Sequence, residues 1–132
     1  MKKKKRILVD MSATIIHHGH IRILKKAYEL GNVYVALTSD KEIKKYKGYL
    51  PELNFNQRKE IILAIKYVTK VIKSNWIIDD NFLKKHKISL LIHGNDNSNK
   101  VGKDRIKILK RTKGISSNMI RLKAKKILTI IK

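Results

Sequence analysis

The chain of 132 residues carries 32 lysines and arginines against 10 acidic residues, a formal net charge of +22, and is 42% hydrophobic. That length and apolar content suit one hydrophobic core and not two, so a single domain is expected. With no cysteine in the sequence, disulfides and thiolate metal sites are excluded, which agrees with a reducing cytoplasm.

Short apolar runs alternate with stretches of helical period, the pattern of βαβ units and of a parallel sheet buried on both faces. The basic start Lys2 to Arg6 precedes too few apolar residues for a signal-peptide core, and the first strand is predicted over Arg6 to Asp10. A helix is predicted from near Gly19 through Ile21, Ile23, Leu24, Ala27, Tyr28 and Leu30, closed by Gly31 as its C-cap. The second strand is predicted over Val33 to Thr38. Asp40 to Lys45 then suits one or two helical turns before an irregular loop marked by Gly48 and Pro51.

Asn56 is expected to cap the next helix, whose apolar face is Ile61, Ile62, Ala64, Ile65 and Val68. A third strand over Lys70 to Ile72 follows, then a helix opening at Asp79 and Asp80 and running through Leu83 to His86. The fourth strand is predicted over Ser89 to His93, a polar surface loop over Gly94 to Lys103, and a fifth short strand over Ile106 to Leu109. A last helix carries Met119, Ile120, Leu122, Ala124, Ile127 and Leu128. No apolar run approaches membrane-spanning length.

The segment Val9-Asp10-Met11-Ser12-Ala13-Thr14-Ile15-Ile16-His17-His18-Gly19-His20 has the layout of a phosphate site. A strand delivers the chain to the top of a sheet, glycine admits a ligand to the backbone, and a helix start offers free N–H groups and a positive dipole end. His17 and His20, spaced i, i+3, fall on one face of that helix start. His18 and His86 are read as packing or loop residues.

His17-His18-Gly19-His20 resembles the H-x-G-H signature of the nucleotidyltransferase superfamily. Arg111-Thr112-Lys113-Gly114-Ile115-Ser116-Ser117 resembles the R-T-x-G-I-S-[ST] signature of its cytidylyltransferase branch, which includes the glycerol-3-phosphate cytidylyltransferases. Together, at opposite ends of the chain, the two form a far more specific pattern than either alone. The stretch from Val9 to His20 is also similar to cytidylyltransferase-like modules associated with phosphonate formation. The resemblance implies a three-layer Rossmann-like α/β domain with a parallel sheet of about five strands. It also implies transfer of CMP from CTP to a small phosphorylated or phosphonylated alcohol, with release of pyrophosphate.

By that resemblance, His17 and His20 contact phosphate oxygens in the transition state, Gly19 leaves room for the nucleotide, and Met11, Ser12 and Ala13 form the first loop of its site. Lys45 and Lys47 match a K-x-K pair that reaches the β- and γ-phosphates. Arg58 matches an arginine that holds the loop and the acceptor phosphate, or pairs with a neighbouring helix acid. Arg111 is implied near the phosphates, with Thr112, Gly114 and Ile115 around the nucleotide and Ser116 and Ser117 at a helix N-terminus. Gly94, Asn95 and Asp96 resemble a G-D-D element beside the nucleobase.

The chain departs from the pattern in three places. Asn95 replaces the first acid of G-D-D, Asn97 stands where a tryptophan is usual, and Met11 to Thr14 replaces G-T-F-D, so the acid at position 14 is absent. No cluster suggests a transition-metal site, and magnesium is expected with the triphosphate itself. A homodimer is implied by the resemblance alone. Three other readings stand beside this one: an ATP-dependent adenylyltransferase of the same superfamily, a relative that binds nucleotide without turnover, and a nucleic-acid-binding module suggested by charge. The last is not expected, since aromatics are only 6% of the chain and the lysines form no recognisable motif.

Overall fold

The structure, a computed structural model, describes residues 4–94 and 99–131. Five strands, β1 (Arg6–Met11), β2 (Asn32–Thr38), β3 (Val68–Ser74), β4 (Leu90–His93) and β5 (Ile106–Ile108), form one parallel sheet in the order β3-β2-β1-β4-β5. Between them lie α1 (His18–Tyr28), α2 (Asp40–Lys47), α3 (Phe55–Leu63) and α4 (Asp80–Lys85), and α5 (Ser117–Ile130) follows β5. The three-layer α/β architecture with five parallel strands agrees with the sequence reading.

Strand alternation builds the layers. Ile7 and Val9 of β1, Val33, Val35 and Leu37 of β2, and Ile92 of β4 pack on one face with Leu24 and Ala27 of α1 and Ile62 of α3. Leu8, Ala36 and Leu91 point the other way, against Ile78, Leu83 and Ile88 around α4. Each fully buried Ile, Val or Leu contributes roughly 1.5–3 kcal/mol, so the two faces of the central strands hold the fold. Strand order reverses between β1 and β4, and a crevice opens there beyond the carboxyl ends of the strands.

Several boundaries differ from expectation for local reasons. The cap of α3 is Asn54, two residues before Asn56. Its side chain accepts the Gln57 N–H while the Gln57 side chain accepts the Asn54 N–H, both at 2.9 Å, a reciprocal pair that Asn56 lacks. Helix α1 ends with Glu29 as C-cap in right-handed geometry, so Gly31 is not a cap. Gly31 is needed by close approach: a Cβ there would lie 2.3 Å from the Lys5 carbonyl oxygen.

Strand β3 is longer than predicted because it is a sheet edge. Lys70 and Lys73 face water along it, which the apolar pattern does not capture. The predicted last helix is present as α5, but none of its residues is buried, and Met119, Leu122, Ile127 and Leu128 are exposed. It follows a three-residue edge strand, and Ser117 and Arg121 of its first two turns bond to the rest of the protein.

Candidate active site

The end of β1 leads into a buried loop and then into α1, whose N-cap is His17. An imidazole does here what Ser and Glu do in an ordinary capping box. His17 Nδ1 accepts the Gly19 N–H at 3.1 Å, and His20 Nδ1 accepts the His17 N–H at 3.1 Å. A ring nitrogen that accepts an N–H carries no proton, so each neutral imidazole bears its hydrogen on Nε2 and presents a donor there. The rings lie 4.0 Å apart, centre to centre.

Burial, followed by the charges of His17, Arg111 and Lys47, pushes the His20 pKa down to about 4. Burial, followed by His18 and Arg111, lowers that of His17. Both rings are therefore uncharged at neutral pH, each suited to donating its Nε2–H to an oxyanion. Gly19 lies directly beneath: a Cβ would sit 2.8 Å from His17 Cε1 and 3.4 Å from Ile115 Cγ2. The first signature and the second thus pack against each other at this glycine.

On the β2 side, the Lys47 ammonium donates to Ser12 Oγ at 3.2 Å and lies 5.8 Å from the centre of the Trp76 ring. Arg58 of α3 is wholly buried, and its guanidinium bonds Ser12 O at 2.6 Å, Thr38 O at 3.0 Å, Leu53 O at 3.1 Å and Asp40 Oδ1 at 2.6 Å. Its place is under the first loop, bracing the backbone that carries Ser12. Of the two roles read from the sequence, the structure displays loop support and a helix-acid pairing.

On the far side, Ser116 caps α5 by accepting the Met119 N–H at 3.1 Å. Ser117 Oγ donates to Ile15 O at 3.1 Å and ties this helix start to the first loop. One cavity of about 890 Å³ joins all these groups. His17, Gly19, His20, Met11, Ser12 and Ala13 line it from the β1 side, Lys47 from α2, and Arg111, Thr112, Ile115, Ser116 and Ser117 from the α5 side, with Gly94 at the end of β4.

Three of the sequence-derived site residues are not among those that line it. Lys45 turns outward with its ammonium 5.3 Å from the Tyr46 ring centre, because on α2 it lies on a different face from Lys47. Gly114 forms the turn before α5, with φ of 77°. Arg58 is the buried brace just described. Asn95 and Asp96, expected beside the nucleobase, lie outside the described residues.

The cavity also holds groups that motif reading did not assign. Asp10 Oδ1 lies 2.5 Å from His93 Nδ1, and Asp10 Oδ2 accepts from Asn99 Nδ2 at 2.8 Å. Asn99 Oδ1 in turn accepts the Ile78 N–H at 2.7 Å. The register explains the meeting: Val9 pairs with Ile92, so the next residues of β1 and β4 emerge side by side at the crevice. Trp76, stacked on Tyr46 at 5.2 Å, lines the cavity just past β3. Its one sequence signal was position, an aromatic directly after the carboxyl end of a strand.

Thr14, at the place of the missing acid, is buried, and its hydroxyl has no hydrogen-bond partner among the described residues. The preceding Ala13 holds φ of 45°, so the loop is strained at this point. Among the described residues no group of three or more His, Cys, Asp or Glu side chains is placed to hold a metal ion. None of the described helices is long and apolar enough to cross a membrane.

Residues 12–123 match the family model described as cytidylyltransferase-like. The chain is 32% identical to the glycerol-3-phosphate cytidylyltransferase of Staphylococcus aureus, across 89% of this chain and 92% of that protein. It is also 32% identical to the ethanolamine-phosphate cytidylyltransferase of Arabidopsis thaliana, across 90% of this chain but only 32% of that longer protein. In fold it is similar to the crystal structure of the lipopolysaccharide core biosynthesis protein from Thermoplasma volcanium, with a TM-score of 0.68 at 21% identity over 83% of this chain and 98% of the other. The chain belongs to the cytidylyltransferase-like family, within the cytidylyltransferase branch of the nucleotidyltransferase enzymes.

Proposed function

We propose that this protein transfers CMP from CTP to a small phosphorylated or phosphonylated alcohol and releases pyrophosphate. The observation that carries this reading is the meeting, in one cavity, of two neutral imidazole donors with Lys47, Arg111 and the N-terminus of α5. An acceptor phosphate oxygen attacks the α-phosphorus in line. A new P–O bond forms as the bond from the α-phosphorus to the bridging oxygen breaks, and that oxygen leaves on pyrophosphate. No covalent nucleophile is required, so the protein has to align two anions and offset the charge that develops.

In this account His17 and His20 donate from Nε2 to α-phosphate oxygens. Lys47 and Arg111 offset the charge of the leaving pyrophosphate, and the first N–H groups of α5, with the Ser116 and Ser117 region, receive the remaining oxyanions. Magnesium bound with the triphosphate would supply charge neutralisation there. Asp10 lines the cavity with both its oxygens engaged by His93 and Asn99. The relatives named above act, by their names, on glycerol 3-phosphate and ethanolamine phosphate, and those two head the acceptors to try. A homodimer is proposed on the resemblance alone and a cytoplasmic location on the lack of cysteine, and light scattering of the purified protein tests the dimer.

The test is pyrophosphate release from CTP and magnesium with glycerol 3-phosphate, phosphoethanolamine, phosphocholine and 2-aminoethylphosphonate, run in parallel with ATP. Release with CTP and at least one acceptor is the expected result. Release only with ATP would move the protein to the adenylyltransferases, and binding of CTP without release from any acceptor would make it a non-catalytic relative.

A further inference from the structure

Arg121, in the second turn of α5, joins that helix to the loop between α2 and α3. Its guanidinium forms a two-pronged pair with Glu52, through Nε to Oε2 and through Nη2 to Oε1 at 2.6 Å. Nη1 donates to Tyr49 Oη at 3.1 Å and to Asn118 Oδ1 at 3.1 Å, and the group lies 4.9 Å from the centre of the Tyr49 ring. The Glu52 contact holds the Glu52 carboxyl below the usual carboxylate range and raises Arg121. An exposed ion pair is ordinarily worth little, but this one is bidentate and belongs to a network of four side chains.

What the network connects gives it a role. The loop of residues 48–54 begins directly after Lys47, and its other end is fixed by Arg58 through Leu53 O. Arg121 fixes its middle. On the α5 side the same guanidinium holds Asn118, which lines the cavity one residue past Ser117. Because the Asn118 carbonyl oxygen is committed to Arg121, what Asn118 offers a ligand in the cavity is its amide N–H.

We infer that Arg121 is a positioning residue for the nucleotide: it sets the separation between the Lys47 arm and the α5 N-terminus and turns Asn118 so that its amide donates to a phosphate oxygen. This rests on the reading of the cavity as a CTP site. Both arms then meet the triphosphate as one preset unit, and the ordering cost of two independent loops is not charged to binding.

Glu52→Gln, Arg121→Lys, their double variant and Asn118→Ala test this in the full chain, by calorimetric titration with CTP, KM and kcat for pyrophosphate release, and thermal midpoint. The expected result is a KM and dissociation constant for CTP raised about five- to tenfold in each single variant, the scale of one or two charge-assisted hydrogen bonds, with the midpoint moved by no more than a degree or two. The double variant should be no worse than Arg121→Lys, and in the Asn118→Ala background Arg121→Lys should cost no more than Glu52→Gln does alone. Variants with wild-type affinity for CTP, or losses of kcat that follow an equal fall in thermal midpoint, would overturn the assignment while leaving wild-type turnover, and so the proposed function, intact. A wild-type protein that does not bind CTP would instead remove the reading of the cavity, and this inference with it.

Discussion

Ser117 Oγ donates to the carbonyl oxygen of Ile15 at 3.1 Å across 102 residues of sequence. With the packing of Ile115 over Gly19, this bond closes the two ends of the chain around one cavity. Ser117→Ala should therefore do more than remove a hydroxyl. We expect a stability loss of about 1 kcal/mol, typical of one hydrogen bond, and a larger proportional rise in KM for CTP, because the first loop and α5 lose their register. A urea melt beside steady-state kinetics checks this, and a KM unchanged at equal stability loss would mean that the tie is only structural.

Gly19→Ala separates fold from chemistry. The new Cβ meets the His17 ring at 2.8–2.9 Å, and the ring can swing away into solvent, so the protein should fold with a small change in melting temperature. Displacement of the donor by about 1 Å should lower kcat on the order of 100-fold. A variant of near wild-type kcat would place the working donor elsewhere.

Arg58 should behave as a brace. Its removal strands Asp40 and three backbone carbonyls that it now satisfies. Even Arg58→Lys, which keeps charge but loses the fork, should cost about 3 kcal/mol in a denaturant melt. A variant as stable as wild type but with raised KM for the acceptor alone would return Arg58 to direct substrate binding.

Acid should destabilise the protein in a defined window. The folded pKa of His20 lies near 4 against an ordinary 6.5, so between those values the unfolded chain binds more protons and stability rises with pH. The contribution is complete above about pH 6.5, is lost as pH falls toward 4, and amounts to roughly 3 kcal/mol at most. His17 and His86, lowered mainly by burial, act in the same sense. Melting temperatures from pH 7.5 to 4.5 should fall steeply for wild type and less for His20→Gln, and equal slopes would contradict the assigned protonation state.

The central strands were legible because Ile7 to Val9 and Val33 to Leu37 are buried on both faces and therefore nearly continuous in apolar character. The edge strand β3 was legible only in its middle, Lys70 to Ile72, because Lys70 and Lys73 follow the solvent rather than the core and blur its ends. The histidine pair was readable from its spacing, as was the glycine between them. The Asp10–His93–Asn99 network was not, because it arises from the register of β1 on β4 and a residue six positions past the strand, none of which has a local pattern. Lys45 and Lys47 show the finer limit. Two residues apart on a helix they point about 200° from one another, so only one of the pair reaches the cavity.

The most direct test of the account is a crystal structure with magnesium and a non-hydrolysable CTP analogue. It should show a single triphosphate within hydrogen-bonding distance, about 3.2 Å or less, of His17 Nε2, His20 Nε2 and the Arg111 guanidinium, with its far oxyanions on the N-terminus of α5. A triphosphate that touches the histidines while Arg111 and α5 hold nothing, or the reverse, would contradict the convergence on which the proposed chemistry depends.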